Sequence, residues 1–236
     1  MAFYSKLAAV YSLIFPFREP VHQFLKKRLP PGRTFVLDVG CGTGHYTARF
    51  AHEGYSVLGI DLDGEMIRVA RQRHAGGSFR VLNMLDIDGL EGSFDLIFCI
   101  GNTVAHLPRK DFETFVHRVY RKLGRDGLWI FQVRNWDYVL KLESYDFPVL
   151  EADDGIRFHR RYFDITPDRL LFETRLTAGR RPLFEERVSL YPIRTEHYVE
   201  IHEKCGFHLQ EHFADFAGTR YVASKDSANV FVFAKY

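Results

Sequence analysis

The chain has 236 residues, 46% of them hydrophobic and 26% charged, so disordered, collagen-like and repeat-array architectures are excluded. A chain of this length makes one large domain, or one domain with an attached lobe, and folds without disulfide or metal staples. With 32 Lys and Arg against 30 Asp and Glu the formal charge is +2, which argues against a dedicated nucleic-acid binder.

The elements follow one another clearly. An amphipathic helix is predicted over 21–29, closed by Pro30-Pro31-Gly32. The apolar run 34–39 stops at glycine and reads as a buried parallel strand. Helical periodicity over 45–53 ends at Gly54, and a second strand is expected over 56–60. A helix over 65–74 ends at Gly76-Gly77. Strands over 79–82 and 94–100, a long helix over 111–123 and a strand over 128–133 complete an alternation of strand and helix. That alternation predicts an α/β fold with a doubly wound sheet. The pattern then changes. Short alternating segments over 158–165, 170–176 and 185–190, separated by turn signals, predict antiparallel strands. A helix over 197–205 and strands over 207–213 and 229–235 close the chain.

The three cysteines, Cys41, Cys99 and Cys205, form neither a disulfide framework nor a zinc pattern and point to a reducing compartment. The apolar segment 7–17 imitates a signal-peptide core, but Tyr11, Ser12 and Pro16 interrupt it, and Arg18-Glu19-Pro20 stands in place of a cleavage site. No stretch approaches the ~20 apolar residues of a membrane-spanning helix. A cytoplasmic protein is expected, and no His/Cys/Asp cluster has metal-ligand spacing.

The first strand runs into Asp38-Val39-Gly40-Cys41-Gly42-Thr43-Gly44. Glycines there allow a sharp turn and close approach of a ligand to the main chain, and the next helix presents free N–H groups. The dinucleotide spacing G-x-G-x-x-G is not met, because His45 occupies its third position. Asp61 ends the second strand about 20 residues on, where a carboxylate can accept from both ribose hydroxyls. The alternative for Asp61 is the N-cap of the following helix. The third strand is followed by Asn83-Met84-Leu85-Asp86, two polar side chains around a soft, adaptable methionine.

Val36–Gly44 followed by Val57–Leu62 resembles the first two motifs of class I S-adenosylmethionine-dependent methyltransferases. The resemblance implies a Rossmann-like, seven-stranded, mainly parallel sheet with its last strand antiparallel, carrying an antiparallel β insertion. It implies S-adenosyl-L-methionine as cofactor, held by Asp38, Gly40, Cys41, Gly42 and Gly44, by Asp61 and Leu62, and by Asn83, Met84 and Leu85, with Asn83 or alternatively Asp86 accepting from the adenine amino group and Met84 packing on the purine face. The phrases Ile100-Gly-Asn-Thr-Val-Ala-His-Leu107 and Arg134-Asn-Trp-Asp137 are similar to those of glycine N-methyltransferases. They place Ile100 and Gly101 at the cofactor and Asn102 and Arg134 at the acceptor, with Arg134 taking a carboxylate. An alternative for Arg134 is a surface ion pair with Asp137, and His106 is read as a packed or capping histidine. Tyr4, Tyr11 and Arg18 resemble a cofactor lid, and Tyr191 has a counterpart at the substrate.

The chain then divides into an N-terminal helical lid (1–30), a cofactor-binding core (31–144 and 192–236) and an antiparallel insertion (145–191) that forms a substrate lid or the surface of a homodimer. The activity implied is methyl transfer to a small-molecule acceptor, an amine bearing a carboxylate. A hydroxyl or amino-sugar acceptor, RNA, and non-catalytic cofactor binding are the alternatives. The basic runs Lys26-Lys27-Arg28 and 157–161 are read as solvated faces. Of the aromatic residues, 15% of the chain, most are assigned to the core, and Tyr4, Tyr11, Trp136, Tyr162 and Tyr191 to a pocket for a cationic cofactor.

Overall fold

The apolar run Phe35–Val39 (β1) lies in the middle of a sheet with neighbours on both sides, which is why four of its five residues are buried. The computed structural model describes residues 8, 11–30, 34–152, 155–179 and 181–235. Among the described residues, β1 is joined in one seven-stranded sheet by β2 (Ser56–Asp61), β3 (Ser78–Val81), β4 (Phe94–Cys99) and β5 (Leu123–Arg134), and by two late strands, Phe207–Phe213 and Ala228–Lys235.

Five further strands intervene in the chain: β6 (Tyr145–Asp146), β7 (Leu150–Ala152), β8 (Ile156–Phe163), β9 (Leu170–Ala178) and β10 (Arg181–Leu190). The late strands are therefore β11 and β12, and the large sheet has the order β11-β12-β5-β4-β1-β2-β3. β1 to β5 are mutually parallel, while β12 runs antiparallel to both β5 and β11. This is the doubly wound, seven-stranded, Rossmann-like architecture with one reversed strand.

Period-2 alternation sorts the strand side chains onto two faces. Val36, Leu96, Phe98, Ile130 and Val232 face one layer, with Phe24 of the helix Glu19–Lys26 and Phe50 of the helix His45–His52. Leu37, Ile97, Trp129, Phe131 and Phe233 face the other, with Phe112 and Phe115 of Arg109–Lys122 and Tyr198 of Thr195–Lys204. Most of the phenylalanines are thus used in burying the sheet.

β6 to β10 form a separate antiparallel sheet of order β10-β9-β8-β6, with β7 paired to β8. Phe158, Leu176 and Phe184 of this sheet pack with Ile14, Met66 and Val69. Tyr162, Leu170 and Leu190 join the core of the large sheet. The second sheet is therefore anchored by apolar contact to both the helical entry segment and the core.

The long elements lie within a few residues of their expected bounds. Several short ones were not expected: the 3₁₀ turns Met84–Gly89 and Thr103–His106, and the helix Trp136–Val139. Segments of four to six residues are too short to show a hydrophobic period. β5 also starts five residues early, at Leu123, across a register shift against β4.

One buried polar side chain organises the second apolar layer. His202 lies stacked on Phe233, with ring centroids 4.0 Å apart. Trp129 Nε1–H donates to His202 Nε2 at 2.9 Å, and its Nδ1–H donates to the Tyr198 carbonyl at 2.6 Å. Burial pushes this imidazole down to about 3 from 6.5. Its contribution to stability is whole above the unfolded value and is lost as pH falls towards the folded one. Unfolding free energy should drop by about 2 kcal/mol on this account between pH 7 and pH 5. Urea denaturation at the two pH values checks this: a His202→Gln variant should show a shallower dependence, and an equal one would remove His202 as its source.

Candidate active site

The site lies at the carboxyl ends of β1, β2, β4 and β5, where an open parallel sheet leaves a crevice. Its centre is the turn after β1. Gly40, Gly42 and Gly44 have φ of +73°, +53° and +83°, a left-handed backbone that L-residues adopt only at a cost. Gly40 N–H and Cys41 N–H both donate to the Ile60 carbonyl, at 2.8 and 2.9 Å. A Cβ on Gly40 would lie 2.6 Å from Thr103 Cγ2, and one on Gly44 2.5 Å from the Phe79 ring. Gly44 therefore packs against β3, and only Gly40 and Gly42 of the three border a cavity.

Asp61 joins the turn to β2. Its Oδ2 accepts from Gly42 N–H and its Oδ1 from Asp63 N–H, both at 2.9 Å. Burial raises its carboxyl above the ordinary value, against the lowering effect of these amide donors. The N-cap of the following helix, Gly64–Arg73, is Asp63, which accepts from Glu65 N–H and Met66 N–H. The capping alternative for Asp61 thus falls to its neighbour.

Asp38 is buried at the end of β1 and accepts a 2.7 Å bond from Thr47 Oγ1–H. Desolvation lifts it to about 7, with a further push from the Asp61 charge. Burial also pushes the Cys41 and Cys99 thiols well up, so neither supplies a thiolate.

Two cavities flank the turn. One, of about 280 Å³, is lined by Asp61, Leu62, Asn83, Met84 and Leu85. The other, of about 560 Å³, is lined by Asp38, Arg18, Ile100, Asn102 and Arg134, with Arg160 and Tyr162 from β8. Both border Tyr11, Gly40, Gly101 and His106, so they form one trough across the sheet. Between the two adenine candidates, Asn83 lines the trough and caps the 3₁₀ turn by accepting from Leu85 N–H at 3.0 Å. Asp86 is 66% exposed and lies 3.6 Å from Arg118, outside the lining.

Beside the larger cavity, a lock joins the ends of β4 and β5. Asn102, at φ +67°, takes Arg134 N–H on its Oδ1 at 2.9 Å, and Gly101 N–H donates to Gln132 Oε1 at 2.9 Å. Arg134 is half-buried, with its guanidinium 5.1 Å from the Phe147 ring centroid, and its buried Nε has no hydrogen-bond partner among the described residues. The ion pair with Asp137 considered from sequence does not form. Asp137 instead accepts from Arg194 at 3.3 Å and from Thr195 N–H at 3.1 Å. His106 is pushed down to about 4 by burial and is neutral at pH 7.

Other expected residues are placed differently. Tyr4 lies outside the described residues. Tyr191 borders neither cavity; its N–H donates to the Ala105 carbonyl at 2.8 Å, and Leu190 faces the trough instead. Trp136 is buried in the core, where the first turn of its helix turns the indole inward. The aromatic wall is Tyr11, Phe15, Phe147, Phe158, Tyr162 and Phe172, only two of which were singled out from sequence. The run 157–161 is not uniformly solvated. Strand alternation exposes Arg157 and Arg161 and turns Arg160 to the trough, a period-2 signal already present in Phe158-x-Arg160-x-Tyr162. Among the described residues, no group of three His, Cys, Asp or Glu gathers as a metal site, and no helix is long and apolar enough to cross a membrane.

Residues 36–127 match the methyltransferase domain family. A glycine/sarcosine N-methyltransferase of Parasynechococcus marenigrum is 30% identical over 206 residues, 82% of this chain and 70% of that one. The Bacillus subtilis protein YqeM, itself assigned as a methyltransferase, is 28% identical over 229 residues, 92% of this chain and 91% of its own. A solved S-adenosylmethionine-dependent methyltransferase of Clostridium acetobutylicum superposes with a TM-score of 0.82, covering 99% of both chains at 16% identity.

The chain belongs to the class I S-adenosylmethionine-dependent methyltransferases. Its cofactor is S-adenosylmethionine.

A Gly40→Ala variant should lose about 1–3 kcal/mol of stability, from the positive φ and the contact with Thr103, and should bind cofactor more weakly. Denaturation and titration calorimetry check both; wild-type values in each would show that the turn tolerates a side chain.

Proposed function

We propose that the enzyme methylates the nitrogen of a small amine bearing a carboxylate. The observation that carries this reading is Arg134: a half-buried guanidinium, fixed to Asn102 through its backbone, whose buried Nε has no protein partner among the described residues. A buried donor without a partner is costly, and a carboxylate is the group that a guanidinium fork pairs best.

The cofactor's fit rests on the donor set. Asp61 keeps lone pairs free for vicinal hydroxyls after taking two amide N–H groups. Asn83 offers a carbonyl and Met84 and Leu62 apolar surface for a purine. Asp38 and Arg18, both on the larger cavity, suit an ammonium and a carboxylate. Bound there, S-adenosylmethionine would supply an activated sulfonium methyl: the amine lone pair would become the new N–C bond, the electrons of the C–S bond would stay on the departing thioether sulfur, and the amine proton would pass to water.

The protein's work is then mainly positioning, which is worth roughly 7–11 kcal/mol in favourable cases. Asn102 and Arg134 orient the acceptor. Tyr11 and His106 lie where the two cavities meet, and His106, being neutral, adds no positive charge beside a sulfonium. An aromatic face near that cation contributes about 0.5–2 kcal/mol. The insertion 145–191 serves as the acceptor's lid, because its Phe147, Arg160 and Tyr162 wall the larger cavity, and the segment before residue 30 closes over the cofactor through Tyr11 and Arg18.

Asp61→Ala should weaken cofactor binding by at least tenfold, since hydrogen bonds to a charged group are worth about 1.5–3 kcal/mol; calorimetry that finds unchanged affinity would move the ribose elsewhere. Arg134→Ala should raise KM for carboxylated amines by tenfold or more and spare cofactor affinity. A methyl-transfer screen over amino acids, amines, amino sugars and phenols tests the class directly, and activity confined to uncharged acceptors would overturn it.

A further inference from the structure

We infer that the acceptor carries a second acidic group and that Arg160 receives it, so that the preferred substrates are amines with two acidic groups rather than simple monocarboxylates. The inference rests on the reading that Arg134 takes the first carboxylate.

Arg160 is set apart from the other basic residues of its strand. Arg157 and Arg161 point outward and pair with Glu151 and Asp146. Arg160 points inward, between Phe158 and Tyr162 on the same face of β8, and borders the larger cavity. One of its nitrogens, Nη2, donates to the Pro148 carbonyl at 3.1 Å. Its Nε is buried and, like that of Arg134, has no partner among the described residues. No carboxylate pairs with it there.

The two guanidinium groups share one aromatic ring. Arg160 Cζ lies 4.8 Å and Arg134 Cζ 5.1 Å from the Phe147 centroid, so the two charges are no more than about 10 Å apart. Burial, and then the charge of Arg134, disfavour the cationic form of Arg160, yet an arginine stays charged in proteins. Asp38 is the only acidic residue among the described residues bordering this cavity; it lies at the glycine turn and is bonded to Thr47. Three arginines, Arg18, Arg134 and Arg160, therefore face one space holding a single carboxyl group. The cofactor carboxylate accounts for one of them and the acceptor carboxylate for a second. The third is matched when the acceptor brings another anion, a carboxylate or a phosphate.

The test uses the full chain saturated with S-adenosylhomocysteine, and measures binding of acetate, succinate, glutarate and phosphoacetate by calorimetry and thermal shift. Methyl transfer to glycine, aspartate, glutamate and phosphoserine is measured in parallel. Diacids should bind roughly tenfold or more tightly than acetate, and the dianionic amines should be the better acceptors. Arg160→Met, which keeps an apolar stem on Phe147, should abolish the diacid advantage, with diacid affinity falling tenfold or more and acetate affinity falling far less. Should that variant fail to fold, Arg160→Gln is read in its place. Diacids that bind no better than acetate, or an advantage that survives the loss of Arg160, would overturn the second-acid inference. An advantage for succinate over phosphoacetate assigns the second group as carboxylate, and the reverse as phosphate. Arg134→Met is the separate control: if acetate binding survives it, the failure belongs to the first-carboxylate reading and takes this one with it.

Discussion

The Asp61 carboxylate holds the site's two halves together. Its two oxygens accept N–H groups from Gly42 in the turn after β1 and from Asp63 after β2. Those bonds connect the ends of adjacent parallel strands and hold a run of left-handed backbone open. A carboxylate at this depth costs burial free energy, visible as its raised protonation equilibrium. Fixed amide dipoles offset part of that cost. With Asp61 in place, the glycine turn faces the crevice, the helix start lies beside it, and the two cavities meet at Gly40.

Charge is distributed along the trough with a clear polarity. Among the described residues, the smaller cavity is bordered by three carboxylates, Asp61, Asp63 and Asp111, and by no arginine or lysine. The larger one holds three arginines, an aromatic wall and a single buried aspartate that sits near neutrality. Low dielectric makes each of these charges felt at longer range than in water. A zwitterionic cofactor and an anionic acceptor suit that arrangement, whereas an uncharged or cationic acceptor would leave the arginines unmatched.

The antiparallel sheet gives the larger cavity its character. The parallel core alone would offer Asp38, Asn102 and Arg134 on an open surface. β8 adds Arg160 and Tyr162, and the segment between β6 and β7 adds Phe147, so the walls of this cavity come from two parts of the chain more than ten residues apart.

The sequence by itself determined the parts governed by local rules. Alternation of strand and helix, glycine punctuation and an acid about 20 residues past the turn are short-range signals, and they defined the α/β core and the order of its long elements and singled out the glycine turn and Asp61, which the fold brings together. Only the tertiary structure decided the rest. Asp63 and not Asp61 caps a helix because the cap depends on φ/ψ at one residue. Asn83 and not Asp86 faces the trough because a 3₁₀ turn rotates Asp86 towards Arg118. Leu190 replaces Tyr191, and Trp136 goes to the core, because a shift of one residue on a strand or helix changes the face. Arg160 was legible only in hindsight, as one inward position in an alternating basic run, since which face of β8 is covered depends on contacts with Ile14, Met66 and the large sheet, which no local pattern encodes.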